Sequence, residues 1–231
     1  MRLVLFDVDG TLILTGGAGM RALYRALSAV LNVDATDGII RPDGKTDPGI
    51  LKELLAHFNM TDRWSLELQE ALLSSYLGFL EDEMSRARDQ CRIRILPGVL
   101  DLLEELSAQP DFALGLVTGN LEKGSRIKLG AAGLERYFRF GGYGSDSEDR
   151  TELTRIGIQR GALAVAPEPV EGAFVIGDTP FDIHHGHAAS ASVIAVGSGG
   201  YGLNELAVHH PDLLVPDLIP IHSIIAFMRK G

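Results

Sequence analysis

The chain holds a single cysteine, Cys91, among 231 residues. No intrachain disulfide can form, which fits a reducing, cytoplasmic setting. Cys91 reads as a small side chain near a junction between domains. Positive charge is also scarce: 21 Lys and Arg stand against 31 Asp and Glu, a formal net charge of −10. A field of that sign disfavours nucleic acid and anionic membranes as partners. An anionic ligand would need a local cationic site or a metal. No run is long and apolar enough to span a bilayer. A strand-like segment follows Met1-Arg2 at once, so no secretory leader is expected. Internal repeats and low-complexity tracts are missing too. What is there is an ordinary globular balance, 45% apolar and 23% charged. The length suits one large domain, or a core carrying a smaller insertion.

Short continuous apolar runs recur as Leu3-Val4-Leu5-Phe6, then at 112–117, 173–176 and 193–196. Such runs suit strands buried on both faces of a parallel sheet. Helical spacing separates them: Val99, Leu102, Leu103 and Leu106 form one stripe, and Leu153, Ile156 and Ile158 with Leu163 suggest a second. Alternating strands and helices imply a doubly wound, Rossmann-like α/β core. Between about 18 and 90 strand-like runs are rare, and helices are expected near 18–32, 47–58 and 64–89. The charged tail from Glu81 to Arg92 reads as solvated. The expected division is a core of residues 1–16 and 92–231 and a helical cap of residues 17–91. Thr15-Gly16-Gly17 and the stretch from Cys91 to Leu96 would be the hinges.

Polar residues follow three of the strands directly: Asp7, Thr118 and, through Gly177, Asp178. Ligands in open parallel sheets bind at the carboxyl ends of strands, so these residues are expected to converge. In Asp7-Val8-Asp9-Gly10-Thr11 the two acids project to one side of an extended segment. The segment also reads as an acidic turn. Gly177-Asp178-Thr179-Pro180-Phe181-Asp182 adds two more carboxylates. Four acids at one sheet edge repel unless a cation sits among them. Hard oxygen donors with no neighbouring His or Cys cluster point to Mg²⁺. Thr118-Gly119-Asn120 precedes a helix expected near Leu121, and a helix N-terminus favours phosphate. The same residues also suit a turn and N-cap.

Taken together, the DxDGT, T-G-N and GDxxxD patterns resemble the haloacid dehalogenase superfamily along essentially the whole chain. The likeness is greatest to its phosphoglycolate phosphatase-like group, which carries a helical cap after the first strand. Arg41-Pro42-Asp43-Gly44-Lys45-Thr46-Asp47 resembles the substrate loop of such caps. The resemblance implies a phosphatase acting on a small phosphorylated metabolite. Asp7 would attack phosphorus and become an aspartyl-phosphate. Asp9 would be general acid and then general base. Asp7, the Asp9 carbonyl and Asp178 would ligate Mg²⁺ with support from Asp182. Thr118, Gly119 and Asn120 would hold the phosphoryl oxygens.

The family usually places a Lys ahead of the last acidic motif. No Lys lies between Lys128 and Lys230, and Arg150 is the substitute, unless it is a surface residue pairing with Asp146 or Glu148. Arg grips phosphate bidentately and is not equivalent to Lys. Asp9 argues against dehalogenation, because a halide leaving group needs no proton. Lys45 and Arg41 would touch the non-phosphate part of the substrate or else be loop charges. His184, His185 and His187 read as surface or packing residues, since their spacing gives no shared helical face. Gly197–Gly202 reads as a loop on the same sheet edge. A phosphomutase of the β-phosphoglucomutase kind would use the same nucleophile and a similar cap, and a non-catalytic binding module would have no need of the four acids. Oligomeric state, monomer or homodimer, is left open by the sequence.

Overall fold

A computed structural model describes residues 1–35 and 40–230. Its centre is a six-stranded parallel sheet in the order β5-β4-β1-β6-β7-β8. These strands are β1 (Arg2–Phe6), β4 (Phe112–Thr118), β5 (Phe140–Tyr143), β6 (Gly172–Gly177), β7 (Ser192–Val196) and β8 (Leu213–Val215). The apolar runs become strands because both sheet faces are covered. Val4 and Phe6 point into one cluster with helices α4 (Val99–Ser107) and α9 (Ile221–Lys230). Leu3 and Leu5 point into another with α6 (Arg150–Val165), α7 (Pro180–Ala188) and α8 (Leu203–Ala207). The period-2 alternation of a strand thus divides one apolar run between two cores.

β5 has no apolar run, because its sequence is Phe140-Gly141-Gly142-Tyr143. The glycines let α6 approach the sheet: a Cβ on Gly142 would overlap the Leu153 carbonyl. The packing face of α6 is correspondingly different from the stripe expected. Arg150, Leu153, Thr154, Gly157 and Gly161 are its buried residues, while Leu163 is 71% exposed. A Cβ on Gly157 would lie 2.8 Å from Leu5 Cδ2. Small residues, not an apolar stripe, set how closely this helix lies on the sheet.

After β1 the chain passes through β2 (Ile13–Leu14) into α1 (Ala18–Leu31), α2 (Asp47–His57) and α3 (Leu66–Asp89), and returns through β3 (Arg94–Ile95) and α4 to β4. The three helices share their own apolar core, including Leu23, Leu27, Leu51, Leu54, Leu72 and Leu80. The end of α3 is solvated as expected along most of its length, but one face is buried. Met84 and Ala87 are buried, and so is Glu83, which accepts from Arg21 at 2.7 Å and Arg25 at 3.0 Å on α1. Two basic neighbours, invisible from the α3 sequence, allow this carboxylate to be buried. The two connections to the helical insertion are also not simple loops: β2 and β3 pair antiparallel, Ile13 opposite Ile95 and Leu14 opposite Arg94. Cys91 is exposed beside this ribbon.

Candidate active site

β1, β4 and β6 lie side by side, so Asp7, Thr118 and Asp178 leave the same sheet edge. Gly10 turns the chain away from β1 at φ 86°, a conformation that suits glycine. A Cβ there would also overlap the Asp178 carboxylate. Thr11 donates to Asp178 Oδ1 at 2.9 Å. Thr179 caps α7, and Asp182 completes a capping box by accepting from the Thr179 backbone at 3.0 Å. Pro180 at the first turn suits a helix start. This local chemistry aims Asp182 back towards the sheet edge.

One carboxylate oxygen each from Asp7, Asp178 and Asp182 lies within 4.8 Å of the others, and all three residues are buried. Arg150, at the start of α6 behind the Asp149 N-cap, donates to Asp182 Oδ1 at 2.7 Å and lies 3.7 Å from Asp7 Oδ1. Its suggested surface partners are engaged elsewhere: Asp146 with Arg160, and Glu148 with Lys52. Burial, then the charge of Asp182, pushes the Asp7 carboxyl up to about 7, although Arg150 opposes this. Burial and the charges of Asp182 and Asp7 hold Asp178 well above the usual carboxylate range. Burial works against the Arg150 charge, but Asp182 and Asp7 outweigh it and raise its pKa. Three carboxylates facing one guanidinium leave the corner short of positive charge. The donors are all hard oxygens, so the corner fits Mg²⁺.

A second group forms on the other side of Asp7. Asn120 donates through Nδ2 to Thr118 Oγ1 at 2.7 Å and to Asp9 Oδ2 at 2.8 Å. Lys128, buried on α5 (Glu122–Ala132), donates to Asp9 Oδ2 and to Asn120 Oδ1, both at 2.6 Å. Sequence reasoning missed Lys128. Its signal was a lysine on the same helical face as Leu121, Gly124 and Ser125, a face otherwise of small and apolar residues. The insertion reaches this group through Asp47, whose backbone N–H donates to the Gly119 carbonyl at 2.8 Å and whose Oδ2 accepts from the Leu121 N–H at 2.9 Å. Burial pushes the Asp47 carboxyl up to about 6, with Lys128 opposing.

A cleft of about 470 Å³ runs between the sheet edge and the insertion, bordered by both groups. Lys45 borders it but its ammonium is bound to Glu53 at 2.6 Å. Arg41 stands outside it, 73% exposed, near Asp43 and over the Tyr201 ring. Ser198, Gly199 and Gly200 of the glycine-rich loop form part of the wall, and Ser198 donates to the Gly10 carbonyl at 2.9 Å. The histidines of α7 are apart from it as a group: His185 meets Thr151 at 2.8 Å and His187 meets Asp212 at 2.9 Å.

A doubly wound α/β core with a carboxylate cluster at its strand ends and a helical insertion over the cleft defines a class of hydrolases built on a Rossmann-like sheet. Within it, the chain belongs to the haloacid dehalogenase-like hydrolase family, which matches residues 4–196. It is 24% identical over 229 residues to the pyrophosphatase PpaX of Oceanobacillus iheyensis, covering 97% of each chain. Among solved structures it is similar to a β-phosphoglucomutase from Clostridium difficile, with a TM-score of 0.73, 18% identity, and 99% and 97% of the two chains covered. A predicted phosphoglycolate phosphatase from Haemophilus somnus aligns with a TM-score of 0.68 at 20% identity over 96% and 97%. At such identities the solved structures share the fold. Among the described residues no helix is long and apolar enough to cross a membrane.

Proposed function

We propose that the protein is a Mg²⁺-dependent phosphatase that hydrolyses a small phosphate monoester through an aspartyl-phosphate on Asp7. The observation that carries this reading is the buried Asp7, Asp178 and Asp182 cluster with Arg150 against it. Residues 1–16 and 92–231 would be the catalytic core and residues 17–91 the cap, a division supported by two apolar clusters, of which the cap's takes in Leu121 of the core where the two parts meet. The lone, exposed cysteine suits a cytoplasmic enzyme.

Asp7, the Asp9 carbonyl and Asp178 would hold the ion, with Asp182 supporting. When bound, Mg²⁺ supplies charge that offsets the phosphoryl oxygens and the crowded carboxylates. The chain's own groups do the rest. An Asp7 carboxylate oxygen attacks phosphorus as the ester P–O bond breaks, and the departing oxygen takes a proton from Asp9. Asp9 then removes a proton from water, which attacks phosphorus and releases phosphate and the Asp7 carboxylate. Lys128 and Asn120 hold Asp9 Oδ2 in place for both transfers. Thr118, the backbone at Gly119 and Asn120, and Arg150 bind phosphoryl oxygens, and Lys45 and Arg41 serve the remainder of the substrate from the cleft wall and its rim. Asp47 and the Gly119 backbone keep the cap against the core, which excludes water from the reacting atoms.

A screen of phosphate esters with Mg²⁺, run on the wild type and on Asp7→Asn, tests this. Release of inorganic phosphate that needs both Mg²⁺ and Asp7 is the expected result. Hydrolysis indifferent to either one refutes the mechanism, and transfer to a sugar hydroxyl in place of water would make the enzyme a mutase.

A further inference from the structure

Tyr76 on α3 is fully buried, borders the cleft, and carries the one buried side-chain polar atom among the described residues that has no hydrogen-bond partner. An orphaned hydroxyl of this kind opposes folding, and groups left so are expected where a ligand completes them. The hydroxyl lies near enough the Asp47 carboxylate to favour ionisation there, yet makes no hydrogen bond of proper geometry with it. It and Asp47 Oδ2 both lie 3.7 Å from the point a Cβ on Gly124 would occupy. Asp47 Oδ2 is engaged by the Leu121 N–H, which leaves Oδ1 as an acceptor. Lys128 spends two of its three N–H groups on Asp9 and Asn120, which leaves one donor.

We propose that Tyr76, Asp47 and Lys128 form a subsite for hydroxyl groups on the leaving alcohol, so that the substrate is the phosphate ester of a neutral polyol or sugar. The inference rests on the phosphatase reading and deepens it. A hydroxyl both donates and accepts, which matches Asp47 Oδ1, the free Lys128 N–H and the ambivalent Tyr76 hydroxyl. A second anionic group does not match, because Asp9 and Asp47 outnumber Lys128 here. An anion would be drawn instead to Arg92 and Arg94, which border the cleft from the β3 side.

The test measures kcat/KM with Mg²⁺ for glycerol 1-phosphate and erythritol 4-phosphate, for ethyl phosphate, and for pyrophosphate and phosphoglycolate. The wild type is expected to favour the polyol esters over ethyl phosphate by tenfold or more, and over both pyrophosphate and phosphoglycolate. Tyr76→Phe removes one oxygen, and the polyol-to-ethyl ratio is expected to fall about tenfold, since a site built to bond a hydroxyl discriminates through it. A ratio cancels any loss of folded enzyme. An unchanged ratio, or a wild-type preference for pyrophosphate or phosphoglycolate, overturns the subsite and leaves the phosphatase reading intact. If no ester is hydrolysed, both readings fall.

Discussion

The cleft has two charged corners built in opposite ways. The sheet-edge corner, with Asp7, Asp178, Asp182 and Arg150, is drawn from strand ends and two helix starts. The cap-facing corner, with Asp9, Asn120, Lys128, Asp47 and Tyr76, is drawn from two strand-end loops and three helices. In the first, acids outnumber the cation three to one, and the charges of Asp182 and Asp7 add to burial in raising Asp178. In the second, two acids share one lysine, and an amide and a hydroxyl supply the remaining polarity. The first corner is therefore arranged to take up positive charge and the second to take up hydrogen bonds. That contrast is what a phosphoryl end and an alcohol end of one substrate require.

The comparison breaks most sharply at Asp7. Asp7→Asn is expected to lower turnover about 10⁴-fold or more, as loss of a covalent nucleophile does. Steady-state hydrolysis of the best ester measures it, and a loss under tenfold would remove Asp7 from the chemistry. Arg150→Ala comes next. It leaves buried carboxylates without their cation, and unfolding in urea should show a loss of about 3–5 kcal/mol. Arg150→Lys should recover part of that, and an Ala variant as stable as wild type would mean that the corner does not need this charge. Third, Mg²⁺ at about 100 times its Kd should raise stability by about 2.7 kcal/mol. Asp178→Asn should lose most of that gain, and thermal shifts with and without the ion decide it.

The smallest effect belongs to the cap-facing corner. The folded state raises Asp47 from 3.8 to about 6, so its ionisation opposes folding. That cost is nil below the unfolded value, grows as pH rises between the two, and is full above about 6. Asp47→Asn keeps an oxygen for the Leu121 N–H and removes the charge. It should be more stable than wild type by about 2–3 kcal/mol at pH 8 and no more stable near pH 4. Parallel melting curves across that range would reveal a pH-independent difference if Asp47 is not strained.

Much of the sheet edge was legible. Asp7, Thr118 and Asp178 follow apolar runs directly, and parallel strands bring their ends together whatever the loops do. Arg150 was legible as a needed cation, though its burial against Asp182 was not. Lys128 was illegible because a lysine on a helix ordinarily signals solvent, and nothing in its neighbours announces Asp9. β5 was hidden by its glycines, whose use is to let α6 approach. Glu83 was read as solvated because its partners Arg21 and Arg25 lie on another helix.

By itself, the sequence determined the parallel sheet, the helical insertion after β1 and the acids at the strand ends. Each follows from a local pattern: a continuous apolar run, a helical period, a polar residue directly after a strand. Only the tertiary structure decided that Lys128 of α5 meets Asp9 and that Asp47 of α2 and Tyr76 of α3 come together against Gly124 of α5. Helical period sets which face of a helix is buried but not which helix it faces or at what height. The meeting of Asp47, Tyr76 and Lys128 depends on how the insertion seats on Gly119 and Leu121, contacts made across 70 and more residues of chain.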